Sequence, residues 1–384
     1  MKRFIIYIAT LLLTATLWSC REEDVIFIPE EVPVAKPEFT SIQGLYVLNE
    51  GNMGSNKATL DYLNYSSGKY YRNIFAQANP TVPKEMGDVG NDLGIYGSKL
   101  YCVINCSNKV DVLNKKSCRK LGQIKIPNCR FIKFYGGYAY VTSYAGPVKL
   151  DPNYTQRGFV AKVDTATLQV VDTCLVGFQP DELAIVGGKI YVANSGGYMF
   201  PNYENTISVI DIETFQEEER IPIAINLGWV KADSRGVLWV HSRGDYYTQP
   251  SRIFAYDTRK HRLEKTFDIR CSNMCLDGDS LYVISSEWSY VTMNNSFSYH
   301  IINTKTMQVV SDQIITDGTE SQIQIPYGIT VNPITKDIYI SDGRDYVTPG
   351  RLFCYDHNGK QKWVVRTGDI PGHFAFLGND INQK

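Results

Sequence analysis

The chain has 384 residues and a formal net charge of −1 at pH 7, from 39 Lys and Arg against 40 Asp and Glu. Because no basic stripe or cationic tail is available to neutralise phosphates, this balance argues against nucleic acid as a partner. The 26 tyrosines, the frequent Gly, Asn, Asp and Ser residues and the lack of long helical periods indicate an all-β protein.

The N-terminus has the layout of a secretory signal. A short basic start precedes an apolar run over residues 4–17, which is too short to remain as a membrane span. The run leads into Leu-Trp-Ser-Cys, which resembles the bacterial lipobox and ends at Cys20. Residues 1–19 are therefore predicted to be a lipoprotein signal peptide, and Cys20 the lipidated first residue of the mature chain. The alternative is ordinary cleavage nearby, with Cys20 incidental.

A short acidic patch, Arg-Glu-Glu-Asp at residues 21–24, follows the predicted lipidation site directly. It resembles the export signal that sends Bacteroidetes lipoproteins to the outer face of the outer membrane. The remainder of residues 20–40 is rich in Pro, Glu and Val without a period, which predicts a flexible tether. We therefore expect an outer-membrane protein that is exposed at the cell surface and contacts the membrane through its lipid anchor only.

Residues 41–384 carry the folded domain, and a repeated unit organises it. Each copy has a turn with Gly, a strand of the type x-Tyr-Val, a polar loop, a second strand, Asp or Asn with Thr or Lys, and a third strand. The copy at residues 188–223 is the clearest, and the unit resembles the YVTN-type propeller repeat. Its aromatic anchor recurs at spacings of roughly 40 to 57 residues, the size of one four-stranded blade. The anchors are Tyr46, Tyr101, Tyr140, Tyr191, Trp239, Tyr282 and Tyr339.

The two ends of this domain complement each other. The first copy begins at Leu45 without an innermost strand before it, whereas a spare strand over residues 373–377 lies near the C-terminus. The segment 368–378 also mirrors segment 177–187, which leads into a blade. The sequence therefore predicts an all-β, seven-bladed β-propeller whose first blade is closed by the C-terminal strand.

Long loops are predicted to gather on one face of this ring. In a four-stranded blade, the connection between the second and third strands emerges on the same face as the connection between blades. Six of the former connections are long, at residues 49–56, 143–157, 194–205, 242–251, 285–296 and 341–350, and the one near 105–108 is short. Long structured loops usually carry function.

These loops combine aromatic rings with Arg, Asp and Asn, a mixture that suits a large, partly apolar, planar or ring-rich ligand. The alternative is that each ring folds down and packs its own loop. The predicted ligand-binding residues are Asn52, Met53, Tyr144, Tyr198, Phe200, Tyr203, Arg243, Asp245, Tyr246, Tyr247, Trp288, Tyr290, Arg344 and Tyr346. Inter-blade residues such as Asp181, Trp229, Asn273 and Tyr327 are expected near the channel mouth, where turn chemistry is the preferred interpretation of Asn and Asp.

The sequence shows no catalytic or metal-binding motif. The five histidines are dispersed over different blades, and no GxSxG elbow, HExxH helix or Walker loop occurs. The eight cysteines after Cys20 lack zinc-site spacing, so they are interpreted as buried thiols or as one or two disulfides. We predict a protein that is not an enzyme and uses no metal or cofactor. A glycosidase-like carboxylate pair stays open by pattern, with these positions to check: Glu50, Asp88, Asp181, Asp245, Glu287 and Asp342.

Together with the lipobox and the acidic export signal, the stretch LYVLNEGNMGSN at residues 45–56 resembles a family of Bacteroides surface propeller lipoproteins. Its best understood members, the BtuG-type proteins, capture cobalamin (vitamin B12) and pass it to a TonB-dependent outer-membrane transporter. The resemblance implies a nutrient-binding protein for cobalamin or a related corrinoid, with cobalamin as ligand rather than cofactor. Two alternatives are a glycan-binding lipoprotein and a surface-layer-like adhesive or interaction protein.

Overall fold

A computed structural model describes residues 31–35, 40–289 and 293–378, and strands make up nearly all of its regular structure. The predicted signal peptide, Cys20 and Tyr290 lie outside the described residues. Within them, no helix is both long and apolar enough to cross a membrane.

The strands fall into seven groups in chain order. The first comprises β1 (Glu31–Pro33), β2 (Ile42–Asn49), β3 (Thr59–Asn64) and β4 (Lys69–Tyr71), and a short helix α1 (Ile74–Ala78) follows. The second and third are β5 (Gly90–Tyr96), β6 (Lys99–Ile104), β7 (Lys109–Asn114), β8 (Lys120–Lys125), and β9 (Cys129–Tyr135), β10 (Tyr138–Ser143), β11 (Phe159–Asp164), β12 (Val170–Leu175). The fourth and fifth are β13 (Pro180–Val186), β14 (Lys189–Asn194), β15 (Thr206–Asp211), β16 (Glu217–Pro222), and β17 (Leu227–Ala232), β18 (Val237–Ser242), β19 (Arg252–Asp257), β20 (Arg262–Phe267).

The remaining strands complete the chain. The sixth group is β21 (Asn273–Asp277), β22 (Ser280–Ser289), β23 (Asn294–Asn303) and β24 (Gln308–Ser311), followed by a 3-10 helix at Thr319–Gln322. The seventh is β25 (Pro326–Val331), β26 (Ile338–Asp342), β27 (Pro349–Tyr355) and β28 (Gln361–Asp369), and the last strand is β29 (Pro371–Gly378).

These strands form seven antiparallel sheets, the blades, numbered here in chain order. Blades 2 to 7 each contain four consecutive strands, and blade 1 has the order β29-β2-β3-β4-β1. In blade 1, Tyr46 of β2 lies opposite Ala375 of β29, and Leu48 lies opposite His373. The innermost strands contact one another in sequence around the ring, including β29 with both β5 and β25. The seven-bladed propeller and its closure by the C-terminal strand are therefore confirmed.

The repeated aromatic residue holds neighbouring blades together. All seven anchors lie on the second strand of their blade, and six of them are almost fully buried. The Tyr46 hydroxyl of blade 1 donates a 2.6 Å hydrogen bond to the Lys115 carbonyl in blade 2. Tyr339 of blade 7 lies 2.7 Å, oxygen to oxygen, from Tyr65 of blade 1. A large ring with a polar tip can thus fill the space between two sheets and also satisfy its hydroxyl there.

The Asp or Asn of the repeat closes the turn between the third and fourth strands. The side-chain oxygen of Asp164, for example, accepts hydrogen bonds at 2.8 Å from the backbone N–H groups of Ala166 and Thr167. Because a short acceptor at this position replaces missing backbone partners, it fixes the tight turn. The same two contacts recur in five other blades, at Asn64, Asn114, Asp211, Asp257 and Asn303. In blade 7, Asp356 accepts instead from the backbone N–H groups of residues 358 and 360.

Alternation of strand direction gives the ring two distinct faces. The loop face carries the connections between second and third strands together with those between blades, and the turn face carries the tight turns.

The prediction of a long loop at residues 285–296 is wrong. There β22 and β23 continue as a paired two-stranded ribbon, from Ser285 opposite Ser298 to Ser289 opposite Asn294. In the described part of this ribbon, Trp288, Phe297 and Tyr299 alternate with Ser and Glu, a pattern that suits a two-stranded ribbon better than a coil.

Candidate functional site

The loop face has a cavity at the mouth of the central channel. Its volume is about 290 Å³, and its walls come from inter-blade connections and from loops of several blades. A larger cavity of about 560 Å³ runs along the innermost strands below it, and the two share Trp229, Asn273 and His373. The lining residues of the upper cavity, called the channel mouth here, are Glu50, Val89, Asn91, Arg130, Phe131, Trp229, Arg243, Ser272, Asn273, Ser286, Pro326, Tyr327, Tyr346 and His373.

Two arginines and one buried carboxylate form one side of the mouth, the arginine side. The Asp181 carboxylate lies 3.3 Å from Nε of Arg130 and 2.8 Å from an η nitrogen of Arg243. It also accepts a 2.7 Å hydrogen bond from the Tyr144 hydroxyl, and the Arg130 guanidinium lies 4.8 Å from the centre of the Tyr144 ring. Although burial would raise the pKa of Asp181, the two guanidinium groups outweigh it and hold the pKa below its usual value. Asp181 is therefore ionised at neutral pH.

The opposite part of the mouth, the glutamate side, is built on Glu50. One carboxylate oxygen accepts a 2.8 Å hydrogen bond from the Tyr327 hydroxyl, and the other lies 2.9 Å from Nε2 of His373. Burial and the neighbouring Glu50 raise the pKa of Tyr327 well above its ordinary value, so this phenol keeps its proton and remains a donor. Trp229 lies between the two sides and donates from its indole nitrogen to the Ser272 carbonyl at 2.7 Å.

Below the mouth, charges alternate along the inner strands of four successive blades. Lys133 lies 4.0 Å from Asp92 and 3.1 Å from Glu182, and Lys231 lies 2.6 Å from the same Glu182 oxygen. Burial would raise the pKa of Glu182, but Lys231 and Lys133 outweigh it and lower the pKa. Since each charge here has an opposite neighbour, this belt stabilises the channel wall and offers no unbalanced charge to a ligand.

His241 is an unusual buried group next to the arginine side. It is 2% exposed, and neither ring nitrogen has a hydrogen-bond partner within the described residues. Burial, followed by the positive charge of Arg243, lowers its pKa to about 3. His241 is therefore neutral at physiological pH and adds no charge to the site.

Several predicted binding residues present rings or apolar side chains to solvent. Phe200 lies 6.0 Å from Tyr203 and 5.8 Å from Tyr247, ring centre to ring centre, so blades 4 and 5 share one aromatic cluster. Tyr346 packs edge-on against Tyr327 at the mouth, at 5.9 Å. The exposed large apolar residues among the predictions come from five different blades: Met53, Phe200, Tyr246, Tyr247, Trp288 and Tyr346.

Two of the loops share a motif, Asp-Tyr-x-Thr, called the DYxT loops here. Asp245 accepts hydrogen bonds from the backbone N–H groups of residues 247 and 248, at 2.9 and 2.7 Å, and Asp345 does the same for residues 347 and 348, at 3.0 and 2.7 Å. Tyr246 and Tyr346 follow with φ values of 67° and 62°, a left-handed conformation that is uncommon for tyrosine. The aspartate therefore shapes each loop, and the tyrosine is held outward.

Other predicted residues hold the loops in place. Tyr144 is buried on the arginine side, and Tyr198 packs against it at a ring distance of 6.5 Å. Asn52 donates from its side-chain nitrogen to the Tyr346 carbonyl at 3.2 Å and so ties the loops of blades 1 and 7 together. Arg344 is half-buried with a φ of 50° beside Tyr346. Their contribution to ligand binding stays a prediction.

Sequence reasoning missed Arg130 and Glu182 and treated Asp181 chiefly as a turn residue. Their position in the chain could have indicated them, because the innermost strand of several blades has polar residues near its start, as in Asn91-Asp92 and Asp181-Glu182.

The carboxylates proposed as a possible catalytic pair make different contacts. Asp88 accepts from the backbone N–H of Gly54 at 3.0 Å, Glu287 pairs with Arg270 at 2.8 Å, and Asp342 pairs with Arg351 at 2.7 Å. The eight described cysteines are free thiols, six of them buried.

The fold and the loop-face cavity define a class: a seven-bladed β-propeller with an open, ring-lined mouth above a polar channel. Within that class, the chain belongs to the DUF5074 family, a domain of unknown function whose family model matches residues 43–364. None of the functionally curated proteins searched matches it.

Solved structures share the fold at low sequence identity. A quinonprotein alcohol dehydrogenase-like protein from Bacteroides thetaiotaomicron is 12% identical, with a TM-score of 0.57 over 89% of this chain and 80% of that one. Hydrazine synthase from Kuenenia stuttgartiensis is 18% identical, with a TM-score of 0.55 over 70% of this chain and 77% of that one. The WD40 domain of Neurospora crassa Pan2 is 8% identical, with a TM-score of 0.50 over 76% of this chain and 80% of that one. At these identities the likeness concerns the fold alone.

Proposed function

We propose that this chain is a cell-surface lipoprotein of the BtuG type, of Bacteroidetes origin, that binds cobalamin or a related corrinoid on its loop face. In this proposal it is a binding protein without catalysis, and it delivers the ligand to a TonB-dependent outer-membrane transporter. The main support is the set of solvent-facing rings that four different blades present on the loop face, one of which, Tyr346, also lines the channel mouth.

The exposure of these rings supports a ligand that covers them. Tyr247 is 69% exposed, Trp288 46%, Phe200 45% and Tyr346 40%. Rings this open gain nothing in water, and grouped on one face they resemble a binding surface more than scattered apolar residues. A corrin ring is large and partly apolar, so it suits a platform assembled from several blades.

The polar residues of the channel mouth on the same face support the same class of ligand. Asn91 and Asn273 line this mouth, and each uses one side-chain N–H on a backbone carbonyl, that of Arg130 and that of Tyr327. An amide nitrogen carries two N–H donors, so each residue has a second one to offer to a ligand. The amide arms of a corrinoid need such partners, whereas a small ion would leave the outer rings uncovered. A glycan that stacks on the same rings is the alternative outcome of a binding test.

The test is calorimetric titration of the purified protein with cyanocobalamin. We expect saturable heat at micromolar protein, and at least a tenfold weaker affinity for Tyr247→Ala and for Trp288→Ala. The matched control is Tyr135→Ala, since Tyr135 is 51% exposed but ends β9 on the turn face. Absence of heat with the unchanged protein overturns the corrinoid proposal, and a positive glycan array would then favour the sugar-binding alternative.

Anchoring and delivery have tests of their own. Replacing Cys20 by Ala should abolish incorporation of radiolabelled palmitate and release the protein from the outer membrane. Protease added to intact cells should degrade the unchanged protein. Purification from membranes should recover a TonB-dependent transporter with it, and failure of that recovery under mild detergent would remove delivery from the proposal while leaving ligand binding intact.

A further inference from the structure

The two sides of the channel mouth carry opposite formal charge. On the arginine side, two guanidinium groups share one carboxylate, and within the described residues neither arginine has a second carboxylate partner, so one positive charge is left over. On the glutamate side, the Glu50 carboxylate contacts the Tyr327 phenol and the His373 ring, and within the described residues it has no Lys or Arg partner. The mouth is therefore bipolar across a cavity of about 290 Å³.

The arginine side has N–H donors that can still bind a ligand. Asp181 is 1% exposed, and its two oxygens already serve Arg130, Arg243 and Tyr144. Each guanidinium has five N–H donors. Arg243 uses one more on the Leu227 carbonyl, at 3.0 Å. Both side chains still reach the cavity, with 21% and 28% of their surface exposed.

The two arginines are also held in fixed positions. Arg130 is fixed by the Tyr144 ring and by Asp181, and Arg243 by Asp181 and the Leu227 carbonyl. Little side-chain freedom remains to be lost when an anion binds, which favours affinity. A guanidinium pair that converges from two blades suits a tetrahedral phosphoryl group, whose oxygens point in several directions, better than a planar carboxylate.

We infer that the ligand of this protein carries a phosphate group that binds between Arg130 and Arg243, while hydrogen-bond donors of the same ligand face Glu50. This inference rests on the proposed function, because it describes how the same face distinguishes ligands. It makes the arginine side the part of the site that separates phosphate-bearing ligands from otherwise similar neutral ones.

The experiment compares cyanocobalamin with dicyanocobinamide, which has the corrin ring but lacks the phosphodiester and its nucleotide. We expect the unchanged protein to bind cyanocobalamin at least tenfold more tightly. Arg243→Gln should remove most of this difference by weakening cyanocobalamin binding at least tenfold more than cobinamide binding, and Arg243→Lys should restore part of it. An unchanged circular dichroism spectrum and melting temperature show that the variant is folded. Arg262→Gln, in the outermost strand β20, is the matched control.

Other outcomes are equally informative. Equal affinity of the unchanged protein for both corrinoids, or equal weakening of both by Arg243→Gln, overturns the phosphate inference and leaves the proposed function standing. If neither corrinoid binds, the proposed function fails. The inference is then decided by phosphorus NMR of inorganic phosphate, which the unchanged protein should broaden and Arg243→Gln should not. Acetate at equal ionic strength should leave this broadening unchanged, and lack of broadening overturns the inference.

Discussion

The two faces of the ring have different roles, although similar residues occur on both. On the turn face, all seven blades place an Asp or Asn at the turn after the third strand, and six of the seven copies make the same two backbone contacts. On the loop face, the corresponding connections range from four residues in blade 2 to the extended ribbon of blade 6. The near-uniform turns therefore maintain the ring, whereas the connections that vary from blade to blade form the candidate site.

Two tryptophans, one in the core and one on the loop face, should differ most in their effect on stability. Trp239 is fully buried between blades 5 and 6, so Trp239→Ala should lower the free energy of unfolding by about 3–5 kcal/mol. Trp288 is 46% exposed on the loop face, so Trp288→Ala should change stability by no more than about 0.5 kcal/mol. Urea unfolding followed by circular dichroism measures both. Similar losses for the two variants would mean that the loop face is also part of the core.

The inter-blade tyrosines give a smaller effect of the same kind. Tyr46→Phe removes the donor to the Lys115 carbonyl and leaves that acceptor unsatisfied between two sheets, which should cost about 1–2 kcal/mol. The measurement is the urea midpoint at an unchanged m-value. Tyr135→Phe, at an exposed ring on the turn face, is the control and should leave the midpoint unchanged. An unchanged midpoint for Tyr46→Phe would contradict the idea that the hydrogen bond of this hydroxyl stabilises the contact between blades 1 and 2.

Lowering the pH should destabilise the DYxT loops, with a smaller effect on the stability of the protein than the substitutions above. Burial opposes ionisation of Asp245, but hydrogen bonds from Thr248, Gln249 and Tyr247 lower its pKa to about 2, from an ordinary value of 3.8. A carboxylate with a lowered pKa contributes stability above pH 4 and loses it as pH falls toward 2. Asp245→Asn should therefore flatten the fall in melting temperature between pH 4 and pH 2. Asp268→Asn, at an exposed carboxylate outside these loops, should give the same curve as the unchanged protein.

Much of the ring was predictable because its signals are local and repeated. Each anchor aromatic and each Asp or Asn turn is readable within one blade, and the spare strand at residues 373–377 pointed to closure with β2. The ribbon of β22 and β23 was misread because its Ser, Asn and Glu residues resemble loop composition although they alternate with Trp, Tyr and Phe.

The polar part of the site was harder to predict from the sequence, because its contacts join residues that are far apart in the chain. Arg130 meets Asp181 across 51 residues, and Glu50 meets His373 across 323. Nothing local marks such a pair, since each member reads as an ordinary polar residue near a turn. The exposed rings, by contrast, were predictable from loop length and composition alone.

The closing strand sets the order in which this architecture can be completed. A chain made from its N-terminus has six whole blades and one unfinished blade until β29 emerges, and until then the inner edge of β2 has open backbone N–H and C=O groups. An incomplete copy would therefore be a template for strand exchange with a neighbouring molecule. Loss of only the final dozen or so residues would be as damaging as a large internal deletion.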